Sequence, residues 1–150
     1  MTNKAANLVD QAKQWAGYYG DFSNGPEGAV LTVPLRVRAA WDANDAEAFA
    51  SIFAANGSML AGDEQLNGPD AIKAYMEKAF AAYYQGTKLD ERPVEIRFLT
   101  EDVAFAVTEG GVIGKDDTEV PEAERTRSTW VVARQDGDWR LVSRQTSPIG

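Results

Sequence analysis

The stretch TRSTWVVARQDGDWRLVSRQTS, residues 126–147, decides the fold. Its centre, Asp136-Gly137, is a two-residue hairpin signal, because the tight turns that match strand twist need positive φ at their central positions. Apolar and polar residues alternate on both sides of the turn, as they do in strands with one buried face. Counting back from it pairs Val132 with Leu141, Trp130 with Ser143 and Ser128 with Gln145. Trp130, Val132, Trp139 and Leu141 then share the apolar face, and Ser128, Ser143 and Gln145 form its far end. Arg127, Thr129, Val131, Ala133, Arg140, Val142 and Arg144 take the other face, and a slip by one residue would exchange the two sets. An inner surface that passes from Trp and Leu to Ser and Gln predicts a cavity with a few orienting polar groups.

Upstream, Val94, Ile96 and Phe98 alternate with Glu95 and Arg97 in a second strand pair. A tight turn at Glu101-Asp102 would pair Phe98 with Phe105, Ile96 with Val107 and Val94 with Glu109. That register places Glu109 inside, where a carboxyl suits general acid–base work. The alternative is that Gly110-Gly111 forms a bulge, flips the alternation and turns Glu109 to water.

Helices precede these strands. Residues 4–16 carry Ala5, Leu8, Ala12 and Trp15 at helical spacing, and glycines and Pro26 then break the pattern. A helix opening near Pro26 aligns Val30, Val33, Val37 and Trp41, with Pro34 kinking it or marking its true start. Asn44 followed by Glu47 is a capping signal for a helix that buries Phe49, Ile52 and Phe53 and ends at Asn56-Gly57. Ser58–Ala61 and Gln65–Leu66 read as a short strand pair. A third helix runs from Pro69 to about Tyr84, burying Ile72, Tyr75 or Met76, Ala79 and Tyr83. Trp41, Phe53 and Met59 are candidate pocket walls or core, and Tyr75, Tyr83 and Tyr84 lie near the opening. Tyr75 is the candidate partner of Glu109 in any acid–base chemistry.

These elements make an α+β fold. A cone-shaped curved antiparallel sheet carries three helices on its concave face in a domain over residues 26–150, with a helical appendage over 1–25.

Composition narrows the function. With 150 residues, 44% of them hydrophobic, one domain with a full core is expected. A net charge of −8 opposes nucleic-acid binding. No apolar run is long enough to cross a membrane, and Asp10 and the amides near it break any signal-peptide core, so the cytoplasm is the expected compartment. The chain has no cysteine and no histidine, which removes disulfides, thiolate chemistry and every histidine-dependent base, nucleophile or metal site. The acidic run Asp116-Asp117-Thr118-Glu119 lacks the spacing of a calcium loop and reads as solvated. No metal or cofactor is expected. The mixed apolar and arginine face of the sheet suits a homodimer.

Ala39-Ala40-Trp41, Asn44–Phe49 and Phe53–Gly57 resemble the opening of SnoaL-like members of the nuclear transport factor 2-like superfamily. So do Asn67–Ile72 and the closing Asp136–Ser147. The resemblance spans about residues 28 to 148 and is strongest to the SgcJ/EcaC branch, which includes accessory proteins of enediyne antibiotic biosynthesis in actinomycetes. It implies a cone with a ligand cavity, dimerising through its sheet. Its relatives include isomerases, dehydratases, polyketide cyclases and non-catalytic binding modules. Many of them carry a histidine near the position of Gln145 or Tyr75, which this chain lacks. The first expectation is a pocket protein that binds or steers a hydrophobic, polyene-like polyketide intermediate. The alternatives are a carboxylate- and tyrosine-based isomerase, cyclase or dehydratase, and an interaction module for a polyketide synthase. The expected ligand contacts are Trp41, Phe53, Met59, Tyr75, Tyr83, Glu109, Ser128, Trp130, Ser143 and Gln145.

Overall fold

The computed structural model describes residues 25–61 and 63–149. The helix expected over residues 4–16, and all of the appendage but Gly25, lie outside the described residues. Three helices and six strands follow in the order α1 (Gly25–Asp42), α2 (Ala46–Ser51), β1 (Phe53–Ala61), β2 (Glu64–Asn67), α3 (Pro69–Ala81), β3 (Lys88–Thr100), β4 (Val103–Ile113), β5 (Thr126–Gln135) and β6 (Asp138–Pro148). The strands form one curved open sheet in the order β2-β1-β6-β5-β4-β3. All neighbours run antiparallel except β1 and β6, which pair in parallel.

α1 runs through Pro34 without interruption and buries Val30, Val33, Val37 and Trp41 along the stripe that the spacing predicts. Burying each such side chain contributes about 1.5–3 kcal/mol, enough to outweigh the one helical hydrogen bond that proline removes. The cap of α2 is Asp45, one residue beyond the expected Asn44: its side chain accepts from Ala48 N at 3.1 Å. Asn44 instead takes a left-handed backbone, φ +50°, and spends its amide on Trp41 O and Thr87 O. α2 also stops earlier than expected. Phe53 already pairs with Leu141, so Asn56-Gly57 lies inside β1 rather than at a helix end. α3 starts at Pro69 as predicted and ends at Ala81, three residues short of Tyr84, leaving Tyr83 exposed.

The core lies between the helices and the concave sheet face. Trp41 packs edge-on against Phe80, with ring centroids 5.5 Å apart, and Phe49 bridges to Phe53 at 5.8 Å. Trp130, Val132 and Leu141 are fully buried and Trp139 is nearly so. Arg36 ties α1 to the hairpin by donating to Trp139 O at 2.6 Å.

Two register expectations fail, both at bulges. On β3, Val94 and Leu99 fall at irregularities, so Phe98 faces Ala104, Ile96 faces Ala106 and Arg92 faces Glu109. Small side chains, Ala104, Ala106 and Thr108, therefore fill the inside of β4, while Phe105, Val107 and Glu109 point outward. On β6 the ladder shifts at Val142: Val132 faces Leu141 as counted, but Trp130 faces Arg144 and Ser128 faces Thr146. This single extra residue brings Arg144 inside and sends Ser143 and Gln145 to the outer face.

Candidate functional site

Those two shifts build a buried ion pair at the end of a cavity. β3 places Leu89 and Glu91 on the concave face, β4 adds Thr108, β5 adds Ser128 and Trp130, and β6 adds Arg144. The close approach of β3 to β4 depends on Gly110, where a Cβ would lie 2.0 Å from Asp90 O.

Glu91 is the hub. Its Oε2 accepts from Thr108 Oγ1 at 2.8 Å, and its Oε1 accepts from Ser128 Oγ at 3.1 Å and Arg144 Nη2 at 2.9 Å. Trp130 Nε1 donates to Thr108 Oγ1 at 2.8 Å, and Ser128 shares a hydrogen bond with Thr146 at 2.9 Å. The Arg144 guanidinium lies 4.7 Å from the centre of the Trp130 ring, a stacked cation–π contact. Every member is nine-tenths buried or more except Thr146. These hydrogen bonds and the ion pair offset part of the cost of holding two charges in the core.

A cavity of about 250 Å³ reaches this pair. Trp41, Met59, Met76, Leu89 and Val112 give it apolar walls, and Glu91 and Arg144 its polar end. Tyr75, Tyr84, Glu124, Thr126 and Thr146 also line it. The Tyr75 and Tyr83 hydroxyls are hydrogen-bonded to each other, and this bond, with partial burial behind it, holds the Tyr75 hydroxyl above its ordinary pKa. Burial, with Tyr83 next, pushes the Tyr84 hydroxyl up as well. Both stay protonated donors at neutral pH. Trp41 Nε1 donates to Thr87 Oγ1 at 3.0 Å, so its indole is fixed as a wall. A larger open groove of about 960 Å³ lies between the start of α1 and the β3–β4 turn, but it has no buried charged side chain and its rim includes Gly25, where the described residues begin.

Of the residues expected from sequence, Trp41, Met59 and Tyr75 line the cavity. Tyr83 does not line it: its side chain is exposed and reaches the cavity only through its hydrogen bond to Tyr75. Ser128 and Trp130 are fully buried behind it and reach it through Glu91 and Arg144. Phe53 is core, its ring tilted against Phe49, and does not line the cavity. Glu109 is corrected: it lies on the outer face, paired with Arg127 at 2.6 and 3.0 Å, because the β3 irregularities reset the register before it. Ser143 and Gln145 are corrected for the equivalent reason on β6. Sequence reasoning missed Glu91 and Arg144. The signal for Glu91 was its place two residues after Leu89, on the same strand face. Arg144 had none, because alternation does not announce a bulge. Among the described residues no cluster of acidic side chains could hold a metal ion, and no helix is long and apolar enough to cross a membrane.

A profile of the SnoaL-like domain matches residues 30–149. No curated protein matches the chain. Among solved structures, an NTF2-like protein with a cystatin-like fold from Novosphingobium aromaticivorans superposes with a TM-score of 0.71 at 18% identity, covering 99% of this chain and 92% of that one. A cystatin-like domain of unknown function from Nostoc punctiforme gives 0.69 at 19% identity, covering 99% and 80%. A ketosteroid isomerase-like protein from Erwinia carotovora atroseptica gives 0.64 at 18% identity, covering 82% and 95%. At these identities the likeness is one of fold.

Proposed function

The chain belongs to the SnoaL-like domain family of the NTF2-like superfamily, and on that premise we propose that it is a small-molecule pocket protein of secondary-metabolite biosynthesis. In this reading it holds a hydrophobic, polyketide-derived intermediate, and the resemblance to SgcJ/EcaC proteins supports a polyene of an enediyne pathway. The observation that carries the proposal is the cavity itself, with apolar walls closing on one buried ion pair. Small-molecule sites have this composition: mostly apolar lining and a few placed polar groups. Its volume of about 250 Å³ falls just below the usual range of about 300–1,000 Å³. A polyene would therefore enter by one end and leave the rest at the mouth beside Tyr75 and Tyr83.

The test is native mass spectrometry and thermal shift of the purified protein after incubation with extract of a polyketide-producing culture. A bound small molecule that raises Tm in proportion to its concentration is the expected result. No bound mass and no shift would overturn the proposal.

The outer sheet face supports a homodimer in the same reading. Phe105, Val107, Val131, Ala133 and Val142 are half-buried there, and the Arg97 guanidinium lies 5.6 Å from the Phe105 ring centre. Sedimentation at micromolar concentration should show two copies, and a monomer contradicts it.

A second reading, catalysis by carboxylate and phenol, is favoured by one observation: Glu91 lines the cavity that Tyr75 also lines. Glu91 replaces Glu109 in that role. A Glu91→Gln variant that folds, binds ligand and leaves product formation unchanged removes this reading.

A further inference from the structure

The buried arginine is the least satisfied polar group in the site. A guanidinium carries five N–H donors. For Arg144 the structure pairs one nitrogen, Nη2, with Glu91 Oε1 at 2.9 Å. Its Nε is inaccessible to solvent and has no hydrogen-bond partner. The side chain is 10% exposed and lines the cavity, with Trp130 against the guanidinium. The nearby hydroxyls of Thr108 and Ser128 are already spent on Glu91. Nη1 has no hydrogen-bond partner either but is not sealed from solvent, so it is the donor to which the cavity can supply an acceptor, and leaving such an N–H unmet costs about 1–3 kcal/mol.

Charge decides what kind of acceptor. Among the described residues, the charged side chains around the cavity are one guanidinium, Arg144, against two carboxylates, Glu91 and Glu124. Glu91 already compensates Arg144, so a ligand carboxylate would give up its hydration with no uncompensated positive charge to receive it, and exposed Glu124 adds a weak repulsion. A neutral carbonyl oxygen carries no such penalty and accepts from Nη1–H at full strength, since its donor is ionised.

We propose that the cavity selects apolar ligands bearing a neutral carbonyl, a ketone, quinone or ester, whose oxygen accepts a hydrogen bond from Arg144. The inference rests on the pocket reading above and names the ligand class within it. Trp41, Met59 and Met76 hold the carbon body, and Arg144 fixes which end goes in. Glu91 acts as a positioning residue, since it holds the guanidinium through Nη2.

Three probes of similar shape test it: 2-acetylnaphthalene, 2-naphthoate and 2-ethylnaphthalene. Binding is measured by calorimetry, and the Arg144 Nη–H resonances are followed in nitrogen-15 spectra. The ketone should bind about tenfold or more tighter than the hydrocarbon and the carboxylate, and it should shift an Nη–H signal downfield. In the Glu91→Gln/Arg144→Met double variant, which leaves the net charge of the site unchanged, the ketone should lose its advantage while the hydrocarbon binds as before. Equal binding of ketone and hydrocarbon to the natural chain overturns the carbonyl inference and leaves the pocket reading standing. Tighter binding of the carboxylate overturns it too. Failure of all three to bind overturns both.

Discussion

Cutting the buried ion pair from one side is the perturbation with the largest calculable effect. Arg144 Nη2 and Glu91 Oε1 are 2.9 Å apart on side chains 10% and 6% exposed. At an effective dielectric of about 20, their attraction is roughly 6 kcal/mol, most of it offset by the desolvation of both charges. Removing one partner keeps the desolvation and loses the attraction, so Glu91→Ala or Arg144→Met should each cost about 3–5 kcal/mol. For a domain of this size each kcal/mol is worth about 2–4 °C in Tm, which sets the expected drop at roughly 6–20 °C. The Glu91→Gln/Arg144→Met double variant leaves no buried charge, and the glutamine amide accepts from one of the Thr108 and Ser128 hydroxyls through its oxygen and donates to the other through its NH2. It should recover at least about 2 kcal/mol relative to the sum of the single changes. Urea unfolding followed by tryptophan fluorescence measures all of this, provided the m-value stays constant. Single variants that lose less than about 1 kcal/mol, or losses that simply add in the double variant, would refute the reasoning.

Three further outcomes follow from the geometry. Gly110→Ala should cost at least about 3 kcal/mol or prevent folding, because its Cβ would lie 2.0 Å from Asp90 O, whereas Gly137→Ala, with φ +79° and nothing within 4 Å, should cost only about 1–2 kcal/mol in a chemical denaturation series. Glu109→Gln breaks only the outer-face pair with Arg127, so stability should change by less than about 1 kcal/mol and ligand affinity not at all in calorimetry. The Tyr75 and Tyr84 hydroxyls are held above the ordinary value of 10.0. Their share of stability is therefore present below pH 10 and lost as pH rises through the raised folded values. In an ultraviolet titration both should ionise late, and Tyr83→Phe should bring Tyr75 back toward the ordinary value.

The hairpin, the inner placement of Trp130, Val132, Trp139 and Leu141, the stripe of α1 and the start of α3 were all legible in the sequence. Each rests on a local signal with one cheap physical solution: a turn that needs positive φ, a helical period, or a proline at a first helical position. What was not legible depended on bulges. An extra residue at Val142 costs nothing that composition reveals, yet it turns Arg144 inward and Gln145 outward. The irregularities at Val94 and Leu99 do the same for β4. There the larger side chains, Phe105 and Val107, mark the outer face, because the inner one is crowded by the helices and takes Ala104 and Ala106. Hydrophobic size therefore pointed the wrong way, and Glu109 went with it. The candidate site was legible as a place, a cavity beneath the helices walled by Trp41 and Met59. Its polar end was not.

The most direct measurement is a crystal structure of the protein soaked with 2-acetylnaphthalene. The rings should lie among Trp41, Met59 and Met76 with the carbonyl oxygen at hydrogen-bond distance from Arg144 Nη1. A hollow closed by its own side chains, or the probe bound only on the outer sheet face, would contradict the claim that this cone is built to hold a small molecule.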